Sequence, residues 1–305
     1  MKVLLAVSGG IDSMYMLHRA PELFPGASFA VAHCNFCLRG EDSDADESFV
    51  RSSCQSLGVE CFTQRFNTTA YASEHGISVE MAARDLRYAW FRQLCTEHAF
   101  TALATAHNAN DNAETMVLNL LRGTGTKGLR GIPSNPSLLR PLLGITREEI
   151  KKWMEENGHQ WREDRTNAEN EAKRNKIRNL IFPVFAEINP SFVKTLGEDM
   201  ARIRQTDDIA EDYYQEAAEK IVNLTDNSLE ISVVPLLELK HWRYVLWRLL
   251  EDCSFSAETF EKLCALLERY KSEPLGTVTL SGKTFQSPAY VLKARRKTLV
   301  LAKKL

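Results

Sequence analysis

The sequence predicts an α/β fold: a doubly wound, mostly parallel sheet followed by a smaller helical region with a C-terminal β-meander. Short apolar runs alternate with amphipathic stretches through about residue 145, the rhythm of strand–helix–strand units. The first run breaks directly into Ser8-Gly9-Gly10 and restarts at helical spacing. After residue 276 the pattern changes to short alternating segments. At 305 residues, 44% hydrophobic and 26% charged, the chain has a globular composition and is long enough for two domains.

Residues 3–7 are short, Val-rich and bounded by glycine, so they read as a buried parallel strand. A helix is expected over 12–19, a strand over 28–33, a helix over 44–57 and a strand over 59–66. A helix over 79–98, a strand over 101–106 and a helix from about 110 to 121 continue the alternation. The glycine-rich stretch 123–131, with Lys127 and Arg130, is a flexible loop that could fold over a substrate or merely connect. A helix over 147–157 ends at Gly158. Pro183 and Pro190 mark the way out of the first domain, which gives domains 1–190 and 191–305. The second has helical patterns at 192–224, 242–253 and 257–270, then short strands near 277–280, 283–285, 290–292 and 299–301. Ser281-Gly282-Lys283-Thr284 ends like a Walker A loop, but Thr277 stands where the leading glycine belongs, so it reads as a turn.

Strand, glycine turn and helix together make an anion cradle, because unpaired N–H groups at a helix start point at bound charge. Gly9 and Gly10 allow close approach and positive φ, and Ser8 and Ser13 offer hydroxyls. The loop has no lysine, so a pyrophosphate held here would be neutralised by backbone dipoles and a bound cation. The bland reading is a tight turn with Ser or Asp capping a helix; its place straight after the first strand favours the cradle. In a doubly wound sheet ligands sit beyond the carboxyl ends of the strands. Ser8-Gly9-Gly10, His33-x-Asn35 and His107 with Asp111 all fall there and are expected to meet in one crevice. Asp111 and Glu114, three apart on a helix, need a cation nearby, either a substrate ammonium or Mg²⁺. Arg84 and Arg87 share a helix face with Tyr88; Arg84 suits phosphate recognition, and Arg87 is expected in a helix-surface ion pair. Arg174 and Arg178, four apart, could clamp a nucleic-acid phosphate.

The net charge of −2 gives no global sign of nucleic-acid binding, so RNA would have to be held by local patches. Two basic patches stand out, at 173–178 and at 293–304, while 41–47 carries five carboxylates in seven residues. No signal-peptide pattern precedes the first strand, and no apolar stretch approaches the ~18 residues needed to span a membrane. The seven cysteines suit a reducing cytoplasm, the expected location. Cys34 and Cys37 form a C-x-x-C without a second ligand pair, so they are expected to be strand-end filler.

Ser8-Gly-Gly-Ile-Asp12-Ser13 resembles the PP-loop of the ATP pyrophosphatases. The run from His33 through Arg39-Gly40-Glu41 to Asp46-Glu47 is similar to the second signature of tRNA(Ile)-lysidine synthases. So are Glu80-Met-Ala-Ala-Arg84-x-x-Arg87-Tyr88, the block His107 to Thr115 with Leu121-Arg122-Gly123, and Arg140-Pro141. Trp161-x-Glu-Asp164-x-x-Asn167 and Arg174-Asn175-x-Ile177-Arg178 complete the set, over about residues 1–185.

That resemblance implies a PP-loop ATPase fold and a two-step reaction. ATP, with Mg²⁺, adenylates O2 of the wobble cytidine in a tRNA(Ile) with a CAU anticodon; L-lysine then attacks C2 and expels AMP. It implies catalytic roles for Asp111, Glu114 and Arg84, the two acids also holding lysine. It implies ATP binding by Ser8, Gly9, Gly10, Ile11, Asp12, Ser13 and His33, and tRNA contacts by Arg122, Lys127, Arg174 and Arg178. Residues 191–305 would be a tRNA-contacting region; no membrane partner is expected, and a homo-oligomer is compatible. Longer members carry a further C-terminal domain that helps recognise the acceptor stem, and none is expected after the meander. Two alternatives stay open: a tRNA thiolase of the same superfamily and a non-catalytic nucleotide-binding module.

Overall fold

The computed structural model describes residues 1–162, 171–225, 228–272 and 280–304. Two compact units divide the chain at Met1–Arg204 and Gln205–Leu305.

In the first unit, β1 (Lys2–Ala6), α1 (Ile11–His18), α2 (Ala20–Leu23), β2 (Ser28–Asn35), α3 (Glu41–Leu57) and β3 (Cys61–Arg65) follow one another. Then come α4 (Thr68–His75), α5 (Val79–Glu97), β4 (Ala102–Ala104), α6 (Ala109–Arg122), α7 (Thr126–Leu129), β5 (Leu138–Leu139) and α8 (Arg147–Glu156). The sheet order is β3-β2-β1-β4-β5 and every pairing is parallel. Val3, Leu4 and Leu5 are wholly buried, as an apolar strand at the middle of a sheet covered on both faces must be. Alternation then sorts them: Val3, Leu5 and Val7 pack with Met14, Val50 and Ile150 on one face. Leu4 joins Trp90, Phe91 and Leu94 of α5 on the other. The expected doubly wound sheet is present, with one addition. The two-residue β5 pairs with β4 ahead of Arg140, too short a strand to stand out in the sequence. The loop 123–131 contains the single turn α7.

α9 (Glu171–Lys176), a π-helical turn at Ile177–Ile181 and α10 (Phe182–Ile188) run into α11 (Phe192–Ile221). Pro183 opens α10 instead of ending a helix, since a first-turn residue needs no N–H. Ala113, Val117, Ile177 and Phe182 form a separate small core under α6.

The second unit differs from its expectation at the start. The helix ends at Ile221, and β6 (Val222–Thr225) and β7 (Ser228–Ser232) form a hairpin. The helical reading of 192–224 therefore stops three residues short, because Val222–Thr225 pair antiparallel with β7. α12 (Val233–Glu238), α13 (Trp242–Leu250) and α14 (Ala257–Ser272) precede β8 (Thr284–Gln286), β9 (Tyr290–Ala294) and β10 (Thr298–Lys303). The antiparallel order β6-β7-β10-β9-β8 makes one five-stranded sheet, so the meander is larger than expected. Residues 277–279 of the expected first meander strand lie outside the described residues.

Candidate active site

The loop between β1 and α1 is held by two hydroxyls, Ser8 Oγ accepting the Gly10 N–H at 3.4 Å and Ser13 Oγ doing more. Ser13 Oγ accepts the N–H groups of Ser8 (3.2 Å) and Gly9 (3.1 Å) and donates to the Gly10 carbonyl at 2.8 Å. Ser13 therefore shapes the cradle and its proton is already used. Ser8 Oγ, at 3.2 Å from Ser13 Oγ, stands on the exposed side. Gly9 has φ +97°, a conformation that excludes other residues at low cost. Gly10 does not: its φ is −73°, and an added Cβ would meet only Ser8 Oγ at 3.6 Å. What Gly10 keeps clear is the ligand space. No side chain caps α1, so its first-turn N–H groups are left for an anion.

A cavity of about 340 Å³ opens over this loop, walled by Ser8, Gly10 and Asp12 on one side and by Arg87, His107 and Asp111 on the other. The strand ends converge as expected, with a change at β2. Ala32, Cys34 and Phe36 line the cavity, while His33 and Asn35 are not among its lining residues. His33 is 3% exposed, and its Nδ1 donates to the Val7 carbonyl at 2.9 Å; burial lowers its basicity and keeps it neutral. The structure thus places His33 beneath the cradle and off the cavity lining. Burial pushes the Cys34 thiol up to about 12, which makes it an un-ionised part of the wall.

Asn108 ties the two halves of the crevice together. Its side chain accepts from the Asp111 N–H (3.0 Å), its own N–H donates to Asp111 Oδ2 (3.0 Å), and its Nδ2 donates to Asp12 Oδ1 at 2.9 Å. One capping box therefore sets the start of α6 and the Asp12 carboxylate together. Burial raises the Asp12 pKa above its ordinary value, with the Asn108 hydrogen bond opposing, and no described residue forms an ion pair with it. Asn108 lies inside the third signature block, but its capping role is visible only from the boundary of the helix.

Asp111 and Glu114 separate in role. Asp111 lines the cavity. Glu114 is wholly buried and holds Arg178 Nε at 2.7 Å and Nη2 at 3.2 Å, and the same guanidinium stands 3.8 Å from Asp111. The cation that the acid pair requires is thus supplied by Arg178, which is directed inward at Glu114 and not outward as a phosphate clamp. Arg174 donates to Thr115 Oγ1 at 3.3 Å. Burial raises Glu114, with Arg178 opposing, while burial lowers His107 and leaves its ring neutral near pH 7.

On α5 it is Arg87, expected in a surface ion pair, that lines the cavity. Arg84 is exposed, its guanidinium 5.0 Å over the Tyr88 ring and off the cavity lining. Arg87 lines the cavity 5.1 Å over Phe36 and makes no ion pair with a described carboxylate. Arg122 and Lys127 are exposed and away from the cavity lining. Glu163, Asp164 and Asn167 lie outside the described residues.

The second signature works by clasping. Asp46 holds Arg39 (2.6 Å) and Arg162 Nε (2.8 Å), and the Arg162 N–H donates to the Gly9 carbonyl at 2.9 Å. Glu47 gathers Asn35 (3.0 Å), Arg51 (3.2 Å) and Arg65 (2.9 Å), fixing the end of β2 against α3 and β3. Arg162 carried no signal in the sequence. Its function here comes from a contact with Asp46 across 116 positions.

Comparison with known proteins agrees with this geometry. Residues 1–185 match the model of the PP-loop domain, and residues 224–304 match that of the TilS substrate binding domain. The chain is 45% identical over 225 residues to a tRNA(Ile)-lysidine synthase of Bacteroides thetaiotaomicron, covering 72% of this chain and 52% of that one. It is 38% identical over 291 residues to a tRNA(Ile)-lysidine synthase of Chlorobaculum tepidum, covering 90% of this chain and 86% of that one. It spans 58% of a relative of the same name from Porphyromonas gingivalis, at 40% identity. Among solved structures, the U34-tRNA thiolase of Methanococcus maripaludis with its [4Fe-4S] cluster shares the fold at TM-score 0.55 and 18% identity, covering 67% of this chain and 72% of that one.

Proposed function

The chain belongs to the tRNA(Ile)-lysidine synthase family of PP-loop proteins, and on that premise we propose that it is an ATP-dependent ligase forming a C–N bond between lysine and the wobble cytidine of a CAU-anticodon tRNA(Ile). The observation that carries the proposal is the single cavity in which the uncapped start of α1 and Asp12 face Asp111, His107 and Arg87.

The cradle would receive the β- and γ-phosphates of ATP through its amides and Ser8. The cytidine O2 attacks the α-phosphorus, pyrophosphate leaves, and the α1 N-terminus stabilises the departing charge. Adenylation turns a poor leaving oxygen into a good one. The lysine ε-amine then attacks C2, the C2–O bond breaks, and AMP departs with that oxygen. An ammonium group has no lone pair, so a proton must leave first; Asp111 and the neutral His107 ring are the cavity groups placed to take it. Glu114 acts at one remove, by holding Arg178 beside Asp111. Ile11 contributes only its place in the first turn of α1.

Mg²⁺ fits the residues present. Asp12 is half-buried, raised in pKa and without an ion-pair partner among the described residues, and Asp111 lies on the same cavity. One or two carboxylates plus substrate phosphates are the usual Mg²⁺ donor set. The ion, when bound, would neutralise triphosphate charge. The region matching the substrate binding domain, together with Arg122, Lys127 and Arg174, would contact the tRNA. No described helix is long and apolar enough to cross a membrane.

The test follows label from ATP. Pyrophosphate release is expected to require the tRNA, and AMP release to require lysine as well. Turnover of ATP that ignores both would contradict the reading.

A further inference from the structure

Most arginines beside the crevice are neutralised. Arg39 and Arg162 share Asp46, Arg51 and Arg65 share Glu47, and Arg178 meets Glu114. Three are not. Arg84, Arg87 and Arg140 make no ion pair with any described carboxylate, and all three gather around Tyr88. Arg84 lies 5.0 Å over the Tyr88 ring, Arg87 precedes it on the cavity wall, and Arg140 meets its phenol. Arg140 follows β5, where the Thr105 N–H donates to the Leu139 carbonyl at 3.0 Å, so it stands at the carboxyl edge beside His107. Its Nε and Nη1 are buried and have no hydrogen-bond partner among the described residues.

A buried guanidinium with two unused donors, crowded by like charges, is unfavourable on its own. Arg84 and burial both press down on Arg140's basicity, and Arg140 and Arg87 in turn press down on His107's. An anion arriving at this corner would relieve every one of these interactions. We propose that Arg140, flanked by Arg84 and Arg87 across Tyr88, receives a phosphate oxyanion when substrate enters the crevice. This rests on the reading of the crevice as a nucleotide site. The phosphate has two sources, the nucleotide itself or the backbone of the RNA strand whose base is being activated. A planar guanidinium serves both, and the three arginines differ in setting: Arg87 is on the cavity, Arg140 is half-buried against the Tyr88 phenol and Arg84 is exposed.

The test uses the full chain and the variants Arg140→Gln and Arg140→Lys. One arm measures the dissociation constant of a non-hydrolysable ATP analogue and the thermal shift given by inorganic pyrophosphate. The other measures binding of a short RNA hairpin with a CAU loop over a range of salt. Arg140→Gln is expected to weaken one arm by roughly ten- to a hundredfold, with partial recovery in Arg140→Lys. Loss in the ATP and pyrophosphate arm identifies the nucleotide. Loss in the RNA arm, with a salt slope lower by about one, identifies the strand. Because an unpaired charge is removed, Arg140→Gln is expected to melt no lower than the parent. Unchanged binding in both arms would overturn the proposal, and so would a melting temperature well below the parent's. The pyrophosphate arm needs neither tRNA nor lysine. A parent that binds pyrophosphate but makes no lysidine would therefore count against the proposed function alone.

Discussion

At the scale of single residues, the two glycines of the cradle are not equivalent. Gly9 must be glycine because its φ is +97°, whereas Gly10 at φ −73° has room for a side chain only in the space a ligand would fill. Gly10→Val is therefore expected to melt like the parent and lose ATP binding, while Gly9→Ala loses stability as well; calorimetry and nucleotide titration separate the two. Asp12 gives a pH signature. Its folded pKa is raised, so its contribution to stability is present below the ordinary carboxylate value and is lost as pH rises through the raised one. Without nucleotide or Mg²⁺, Asp12→Asn is expected to melt above the parent near pH 7, with the difference vanishing in acid. A parent that is the more stable at pH 7 would contradict this. The acid pair divides in the same way. Asp111→Asn is expected to weaken lysine use by roughly ten- to a hundredfold, a charge-assisted hydrogen bond being worth about 1.5–3 kcal/mol. Glu114→Gln leaves Arg178 facing a neutral amide in a wholly buried setting, and is expected to cost about 1–3 kcal/mol of stability. Lysine dependence measured beside denaturant melts distinguishes the two outcomes.

At the scale of elements, the segment after α6 is held by one carboxamide. Asn112 Oδ1 accepts the Ile132 N–H at 2.7 Å, and Gly131, at φ +79°, passes directly over it. A Cβ at Gly131 would overlap that carboxamide and lie 2.5 Å from Met200 Sδ. Gly131→Ala is thus expected to cost about 2–3 kcal/mol, read as a lower denaturation midpoint with unchanged slope. Several elements were legible because local pattern and burial agree: β1, α1, α3, α5 and α8 lie close to where their apolar spacing put them. The misses have physical causes. β5 is two residues long, and its strand character comes from pairing with β4. β6 and β7 follow a long helix without a break in apolar content, so only their mutual pairing reveals the change of period. Arg87 and Arg84 sit on one helix face in the sequence, and only the folded chain shows that Arg87 is the one on the cavity.

At the scale of the molecule, the site was legible where residues act next to each other in the chain and obscure where they act across it. Ser8 to Ser13 and Asp111 were readable from their place at strand ends. The Arg162–Asp46 clasp, the Arg178–Glu114 pair and the Asn108–Asp12 link join residues 116, 64 and 96 positions apart, and no local pattern encodes them. On the proposed reading, the cavity over the cradle performs both halves of one ligation. That reading is tested most directly by incubating a CAU-anticodon tRNA(Ile) with the protein, ATP, Mg²⁺ and lysine, and weighing the wobble nucleoside by mass spectrometry. The expected product is a cytidine heavier by one lysine less one water, formed only with ATP and lysine and lost in Asp12→Ala. An unmodified cytidine, or one carrying sulfur in place of lysine, would contradict it.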